Sequence, residues 1–312
     1  MTESALLGAS SLAAAALASV PRALGLEDRE AGSATFGCFD RAYWHYRLSD
    51  FPSAWFQTGA LLLAQAVTFS ESPFFGKEKA RDWARAGVRF LLEQAHRDGS
   101  LAEVYPFERS YCATAFAALH ASLALALLGD PAPPTLARIA RWIASARPTE
   151  AANQVAAASA ALAGVAALAR DEELGKASDR RFEDLLAMQS PEGLFLEYGG
   201  PDPGYQSVTL SCLAHLAKLR PEHASVIEAA AHKGALALRS LVREDGTYEW
   251  RTTRRRTQFL YPLGLAKWAP DLLLRFKTGL ARGRVITPLW LDDRYFSHLA
   301  ADFMAAAQEE GK

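Results

Sequence analysis

Two loops rich in glycine and proline share one pattern of acidic and tyrosine residues. When they are aligned on Gly99 and Gly193, a glutamate comes four residues after the glycine, an acid five residues later and a tyrosine three residues after that. The residues that match are Glu103, Glu108 and Tyr111 in the first loop and Glu197, Asp202 and Tyr205 in the second. Two carboxyl groups in different environments can act as general acid and general base, because burial raises the pKa of one while a cation keeps the other ionised. We therefore predict that these residues are catalytic, with the tyrosines assisting proton transfer.

A third loop keeps part of this pattern and adds positive charge. Glu249 comes three residues after Gly246. The arginines that follow it are Arg251, Arg254, Arg255 and Arg256. Arginines bind carboxylate or phosphate groups, but a run of charges is equally typical of a solvated loop. A structural interpretation of all three loops is also open, in which the glycine ends one helix and the acid accepts N–H groups at the start of the next.

A second group of candidates lies in the segment 38–47, which is dense in aromatic and charged residues. His45 is a candidate proton carrier because its unperturbed pKa is near neutrality, although a lone histidine is more often a structural residue. Aromatic rings suit stacking on a sugar face or lining an apolar pocket. The predicted substrate-binding residues are Asp40, Arg41, Tyr43, Trp44, Tyr105, Arg109, Tyr198, Glu249, Trp250, Arg251 and Arg254.

The composition excludes several classes of protein. Half of the 312 residues are hydrophobic, which is enough to bury a large core, and the formal net charge of -1 argues against a nucleic-acid binder. The three cysteines have no C-x-x-C spacing, so we expect neither a disulfide framework nor a structural zinc site, and we expect a reducing, cytoplasmic compartment. Nucleotide-binding, serine-hydrolase and zinc-protease motifs are absent from the sequence. We predict no metal and no cofactor.

The alanine-rich segment from Ala5 to Val20 is predicted to be a packing helix that Pro21 ends. A targeting segment is the alternative. However, Glu3 precedes the segment and no lysine or arginine does, so the positive region of a signal peptide is missing. The segment is short and rich in alanine for a membrane span, and we expect no other apolar run to be long enough.

The rest of the chain alternates between apolar and amphipathic helices. Nearly all-apolar segments, such as 112–128 and 151–169, follow amphipathic ones such as 77–96, with a period of roughly 45 to 50 residues. No segment alternates as a strand would. We therefore predict one all-α domain over residues 1–312, an (α/α) toroid of about five to six helical hairpins, with 1–52 as an N-terminal helix and long connecting loop. An open superhelix is the alternative.

In such a ring, all loops that lead from an outer to an inner helix open on the same end. The acids of the three loops are therefore predicted to converge on one cavity. These acids are Glu103, Glu108, Glu197, Asp202 and Glu249. Two further histidines, His120 and His215, lie within apolar helices and are interpreted as core or cavity-wall residues.

The loops resemble those of two groups of toroid proteins. The tract from Asp98 to Phe116, with its Tyr-Pro-Phe-Glu-Arg-Ser-Tyr run, is similar to heparinase II/III-like proteins of polysaccharide clusters, and the repeated loops also resemble six-hairpin glycosidases. Gln189 and Gly193 near a helix end resemble the repeats of terpenoid cyclases and protein prenyltransferases. The chain has no room for the β-sandwich of heparinase-like lyases, and it lacks the Asp-x-Asp-Asp motif of class II cyclases.

Three functions follow from these residues and resemblances. The leading hypothesis is a carbohydrate-active enzyme, a glycoside hydrolase or polysaccharide lyase, that acts on a small-molecule or oligosaccharide substrate. The second is a toroid that acts on an isoprenoid, with aromatic walls that stabilise carbocations. The third is a non-catalytic helical scaffold that assembles with itself or with a biosynthetic partner protein. It predicts an exposed apolar patch and carboxylates engaged in helix caps.

Overall fold

The computed structural model describes residues 10–311. Within that range the chain forms α-helices and four short 3₁₀ helices, and its only β-pairing consists of isolated bridges. The absence of strands from this range confirms the all-α class. The helices are α1 (Ser10–Leu17), α2 (Val20–Leu26), α3 (Arg41–Trp44), α4 (Gly59–Thr68), α5 (Glu78–Glu93), α6 (Tyr111–Leu128), α7 (Pro134–Ser145), α8 (Ala152–Ala169), α9 (Glu172–Ala187), α10 (Pro203–Leu219), α11 (Ala224–Arg239), α12 (Pro262–Trp268), α13 (Pro270–Ala281) and α14 (Phe296–Glu310).

Six inner helices form a closed ring. Helices α4, α6, α8, α10, α12 and α14 each pack on the next, and α14 packs back on α4. Helices α5, α7, α9, α11 and α13 lie outside, each against an inner helix, and α1 covers α14. The predicted toroid of helical hairpins is therefore confirmed, and the open superhelix is excluded because the first and last inner helices are in contact.

The sequence pattern of each helix matches its place in the ring. The inner helix α8 is built almost entirely of alanine, valine, leucine and small residues, and nearly all of its side chains are buried. The outer helix α5 buries one stripe, including Ala80, Ala84, Val88 and Leu91, and exposes its charged face. A helix that is apolar all round must be covered on every side, whereas an amphipathic helix needs only one covered face.

All connections from outer to inner helices lie at one end of the ring, which we call the mouth. It comprises residues 27–58, 94–110, 146–151, 188–202, 240–261 and 282–295. Every candidate from the sequence patterns lies in these loops or in the helix turns next to them, apart from the two core histidines. The prediction that the loops open on one end is confirmed.

The N-terminal helix differs from its prediction. The first part of the predicted helix, residues 5–9, lies outside the described residues. In the described part, α1 ends at Leu17, and α2 begins at Val20 with Pro21 in its first turn. Pro21 therefore starts a helix rather than ending one, because the first turn has no use for a backbone N–H at that position. The connection to α4 also contains a short helix, α3, which the sequence pattern did not indicate.

Two inner helices are long and apolar enough to cross a membrane by composition alone. They are Tyr111–Leu128 and Ala152–Ala169, with mean hydropathies of 1.7 and 1.4. The expectation that no other apolar run would reach this length was wrong. In each helix 78% of the apolar window is buried inside the ring, which is the pattern of core helices.

The repeated turns of the mouth fasten neighbouring hairpins together. Gly99 has φ of +100° and Gly193 has φ of +102°, a region that favours glycine. A Cβ atom at Gly99 would lie 2.6 Å from the carbonyl oxygen of Arg138, and one at Gly193 would lie 2.5 Å from that of Lys233. Each glycine therefore lets its loop touch the backbone of the next outer helix. This contact gives the repeated pattern a structural role.

Candidate active site in the toroid

Asp202 is the N-cap of α10, and its carboxylate is saturated with hydrogen bonds. One oxygen accepts from the backbone N–H of Tyr205 at 3.1 Å and from the hydroxyl of Thr257. The other accepts from the Thr253 hydroxyl and the Arg255 N–H, both at 3.0 Å, and from the Thr257 N–H at 3.4 Å. The carboxylate thus ties α10 to the loop 253–257. A catalytic role for Asp202 stays a prediction that this geometry does not favour.

Glu108 and Glu249 also stabilise turns. One oxygen of Glu108 accepts from the N–H groups of Glu103, Val104 and Tyr105. Burial alone would raise the pKa of Glu108, but these three N–H groups outweigh it and hold the pKa below its usual value. Glu249 accepts from the Arg251 N–H at 3.3 Å and caps the 3₁₀ helix Trp250–Thr252. Neither carboxylate is directed into a common cavity by these contacts.

Glu103 forms a half-buried ion pair across the mouth. Its carboxylate lies 2.6 Å from an Arg294 guanidinium nitrogen and accepts from the Ser110 hydroxyl at 2.6 Å. Glu103 belongs to the loop before α6 and Arg294 to the loop before α14. The pair therefore bridges two loops that lie on either side of the loop leading to α4.

Glu197 is fully buried beneath an arginine. Its Oε1 accepts from the backbone and side-chain amides of Asn153, at 2.9 and 2.7 Å. Its Oε2 forms no hydrogen bond, and the nearest cation is the Arg255 Nη1, 3.6 Å away. Burial raises the pKa of Glu197, and the Asn153 amides and Arg255 only partly oppose that shift.

Arg255 is held between two tyrosine rings above Glu197. Its guanidinium carbon lies 5.0 Å from the Tyr198 ring centroid and 4.8 Å from that of Tyr205. Cation–π contacts at this range are favourable. About a third of the Arg255 side chain, 32%, remains exposed, whereas that of Glu197 is 0% exposed. The arginine therefore covers the glutamate at the surface of the mouth.

Cys112 marks the point where the two glutamate–arginine pairs approach each other. Burial is the main cause that raises the pKa of this half-buried thiol, which lies in the first turn of α6. The charges of Glu103, Glu197, Arg255 and Arg294 also affect that pKa. Burial is also the main cause that raises the pKa of the Tyr205 hydroxyl, and the Arg255 guanidinium beside it opposes that shift. Of the five predicted acids, Glu103 and Glu197 are thus the two that the ring brings towards one place.

A column of aromatic rings leads from this place into the centre of the ring. Tyr205 contacts Phe259 edge-on at 5.8 Å between centroids, and Phe259 contacts Tyr261 at 5.5 Å. The Tyr261 hydroxyl lies 3.1 Å from Nδ1 of His298. The His298 ring lies 4.5 Å from His120 and 5.1 Å from Phe116.

Asp302 lies at the inner end of this column, on the wall of a small central cavity of about 30 Å³. Both of its oxygens accept from the Ser211 hydroxyl, at 2.9 and 3.0 Å, and both lie 3.3 Å from the Leu263 N–H. Among the described residues, no cation forms an ion pair with it. Burial raises the pKa of Asp302 from 3.8 to about 7, and its hydrogen bonds only partly oppose this. A carboxyl group in such a place can carry a proton near neutral pH.

The neighbouring histidines are held neutral. Burial lowers the pKa of His298 to about 3 and holds that of His120 well below its usual value. The expectation that His120 lies in the core or cavity wall is confirmed, since it lines the central cavity. His215 lines the same cavity.

The remaining predicted residues lie elsewhere on the mouth. Tyr111 is buried, faces Trp142 at 6.4 Å between ring centroids, and has its pKa raised to about 12 by burial. His45 is exposed and packs between the rings of Trp44 and Tyr46. These positions do not bring Tyr111 or His45 to Glu197 or Asp302.

The predicted binding residues divide into capping, paired and exposed groups. Asp40 caps α3 and accepts from the Ser53 N–H, and the Trp44 indole donates to the Leu26 carbonyl. Arg109 pairs with Asp98 at 2.7 Å. The others lie in the mouth loops as half-buried or exposed side chains; they are Arg41, Tyr43, Tyr105, Tyr198, Trp250, Arg251 and Arg254.

The sequence patterns missed the centre of the ring. They did not single out Asp302, His298, Tyr261 or Ser211, and they named Arg255 only as part of a charged run. One signal was available: Asp302 is the only polar residue between Leu299 and Ala307. An acid on the buried face of an inner helix is a candidate site residue. Among the described residues, no group of three or more histidines, cysteines and acids is arranged to hold a metal ion.

Comparison with known proteins finds similarity to solved structures but to no known sequence family. The chain matches no protein family profile and no curated protein. Among solved structures it is similar to the ent-copalyl diphosphate synthase from Streptomyces platensis, with 18% identity and a TM-score of 0.48. The match covers 83% of this chain and 50% of that one, so this chain spans about half the length of the synthase.

The carbohydrate-active hypothesis, as a hydrolase or a lyase, is wrong. Its mechanism needed several mouth carboxylates to point into one open cleft, whereas Asp202, Glu108 and Glu249 are engaged in turns. The predicted resemblance to toroid proteins is confirmed for the fold. The more specific resemblance to heparinase-like proteins and glycosidases is not supported.

Proposed function

We propose that the protein is a toroid enzyme that acts on an apolar, isoprenoid-type substrate, with Asp302 as the proton donor. The observation that carries the proposal is the position of Asp302 at the inner end of an aromatic column, with two neutral donors and no cationic partner among the described residues. A buried carboxyl group without a cation is most stable in its protonated form. Aromatic faces beside it stabilise a positive charge that develops on a hydrocarbon.

The proposed reaction is balanced in protons and electrons. The Asp302 proton is transferred to one carbon of a carbon–carbon double bond, whose π electrons form the new C–H bond and leave a cation on the other carbon. A second double bond attacks that cation, which closes a ring. The cation that remains then loses a proton from a neighbouring carbon to the Asp302 carboxylate, directly or through water, and the electrons of that C–H bond form a new double bond. The product is therefore an isomer of the substrate, and Asp302 is protonated again.

The central cavity limits how the substrate enters. A volume of about 30 Å³ holds one or two water molecules, so an isoprenoid chain must displace side chains of the column. Tyr205 and Phe259 are only partly buried and lie at the mouth end. We expect rotation of these rings, rather than movement of the inner helices, to open the column, because the helices are packed on all sides.

Turnover of a panel of linear isoprenoids tests the proposal. Purified protein would be incubated with C10 to C20 isoprenoid hydrocarbons, alcohols and diphosphates, and isomeric products would be detected by gas chromatography with mass spectrometry. We expect cyclic or rearranged isomers from at least one substrate. Asp302→Asn should lower the rate by roughly 10²- to 10⁴-fold, the usual contribution of a general acid.

A control variant shows whether the loss of turnover is specific to the position of Asp302 or follows the removal of any aspartate. Asp292→Asn changes an exposed aspartate that accepts from the Tyr295 N–H just before α14, and it should leave turnover unchanged. The proposal fails if the wild-type protein converts none of the panel, or if Asp302→Asn turns over at the wild-type rate.

The scaffold function remains a second candidate, and one observation favours it. Large apolar side chains are exposed in the mouth loops around α4. The exposed fraction is 82% for Leu48, 86% for Phe107 and 58% for Trp290. An exposed apolar sector of this kind is typical of a contact surface. Two results together would support this function: the wild-type protein converts no substrate of the panel, and the Phe107→Ser variant self-associates less than the wild type.

We further propose a cytoplasmic location, supported by the three free cysteines.

A further inference from the structure

We propose that Glu197 Oε2 and Arg255 Nη1 together bind the hydroxyl head group of a neutral alcohol, which lies beside the two atoms. This inference rests on the proposed function and narrows its substrate to an isoprenoid-type alcohol. The apolar tail of that alcohol would follow the aromatic column to Asp302, and its head would remain at the mouth.

The first argument is the uneven use of the two Glu197 oxygens. Oε1 accepts two hydrogen bonds from Asn153, which fix the carboxylate in place. Oε2 is buried and has no hydrogen-bond partner. A buried acceptor without a donor is costly, so a ligand that donates to Oε2 would gain the full value of that hydrogen bond.

The second argument is distance. Arg255 Nη1 lies 3.6 Å from Oε2, which is too long for a hydrogen bond. A hydroxyl group both donates and accepts. Placed beside the two groups, it would donate to Glu197 Oε2 and accept from Arg255 Nη1, and so complete both partners at once.

The third argument is charge. Two carboxylates and two guanidinium groups are present in this part of the mouth, since the charges of the Glu103–Arg294 and Glu197–Arg255 pairs all affect the pKa of Cys112. An anionic head such as a diphosphate would meet Glu197 and Glu103, and an ammonium head would meet Arg255 and Arg294. The balanced charges favour a neutral head that exchanges hydrogen bonds with both signs.

The fourth argument is access and direction. Arg255 belongs to a surface loop and its side chain is about one third exposed, at 32%, so a ligand can reach it from solvent. The Tyr205 ring contacts Arg255 on one side and Phe259 on the other. A head group at Glu197 therefore places the next atoms of the ligand at the entrance of the column.

Three ligands with one tail and different heads test the inference. The affinities of geraniol, geranyl diphosphate and geranylamine for the wild-type protein would be measured by isothermal titration calorimetry. We expect geraniol to bind about tenfold more tightly than either charged ligand, because a hydrogen bond to a charged group is worth at least that factor. Glu197→Gln should weaken geraniol about tenfold, since its amide presents a donor where the ligand needs an acceptor.

The controls keep the two proposals separable. Glu192→Gln changes an exposed glutamate of the same loop and should leave all three affinities unchanged. If Glu197→Gln does not fold by its melting curve, Arg255→Gln replaces it, with the same expected loss for geraniol. Tighter binding of either charged ligand, or an unchanged geraniol affinity in these variants, would overturn the inference while the Asp302 turnover test still stands. Binding of none of the three ligands would contradict the proposed function as well.

Discussion

Asp202 and Asp302 are both buried acids of inner-helix segments, but they differ in what surrounds them. Asp202 lies at the mouth and accepts hydrogen bonds from five donors, one in the first turn of α10 and four in the loop 253–257. Asp302 lies at the centre and accepts from one hydroxyl and one backbone N–H. A carboxylate that is fully hydrogen-bonded holds a structure together. A carboxyl group with few donors and no cation keeps its proton and can give it away.

The same contrast separates the mouth from the centre of the ring. Most mouth carboxylates, including Glu108 and Glu249, are engaged in turns. Glu197 and Glu27 are exceptions, because one oxygen of Glu197 and both oxygens of Glu27 are buried without a donor. Abundance of acids in a loop is therefore a poor guide to chemistry, and the number of donors around each acid is a better one.

The largest expected effect on stability that tests this contrast is the pH dependence of Asp302→Asn. The unfolded chain releases the Asp302 proton near pH 4, whereas the folded protein keeps it to about pH 7. The contribution of this group is therefore complete below pH 4 and is lost as the pH rises to 7. The wild-type free energy of unfolding should fall relative to that of Asp302→Asn by up to roughly 4 kcal/mol over this range. Urea unfolding of both proteins at pH 4 to 8 measures the difference.

Other groups that titrate in this range cancel from the comparison. Burial lowers the pKa of His298 to about 3, so its contribution is lost as the pH falls below its unfolded value of 6.5. Burial raises the pKa of Glu27 to about 8, so its contribution is lost as the pH rises. Both groups are present in both proteins. A difference between wild type and variant that does not change with pH would show that Asp302 is ionised in the folded state.

The fold could be predicted from sequence because it depends on patterns that repeat. Apolar runs such as 151–169 alternate with amphipathic ones such as 172–188, and a ring covers the apolar helices on all sides. The site could be predicted only in part. Glu103 and Glu197 were among the predicted residues, but Asp302 lies in a helix with no loop motif. Its environment depends on Ser211 and Leu263, which are far from it in sequence.

The second test addresses Asp202, the structural member of the comparison. Asp202→Ala removes a helix cap and leaves the Thr257 hydroxyl and N–H, both buried, without their acceptor. We expect a loss of about 3 kcal/mol in the free energy of unfolding, measured by urea denaturation. Asp292→Ala removes an exposed acceptor from the turn before α14 and should cost about 1 kcal/mol. Equal losses in the two variants would mean that the bridge from Asp202 to the loop 253–257 contributes nothing beyond an ordinary cap.

The smallest expected effect concerns the glycine that fastens the Asp202 loop to its neighbour. Gly193→Ala forces a side chain into φ of +102° and places its Cβ 2.5 Å from the Lys233 carbonyl oxygen. We expect this variant to lose about 2 kcal/mol in the free energy of unfolding, from backbone strain and overpacking together. Gly199, in the same loop, has φ of +78° but no atom near its missing Cβ, so Gly199→Ala should cost about 1 kcal/mol from strain alone. Chemical denaturation could instead give both variants the same loss in the free energy of unfolding. The close approach of Gly193 to α11 would then add nothing to stability. The repeated glycines would be needed only for the shape of their own turns, and not for the contacts that hold successive hairpins in the ring.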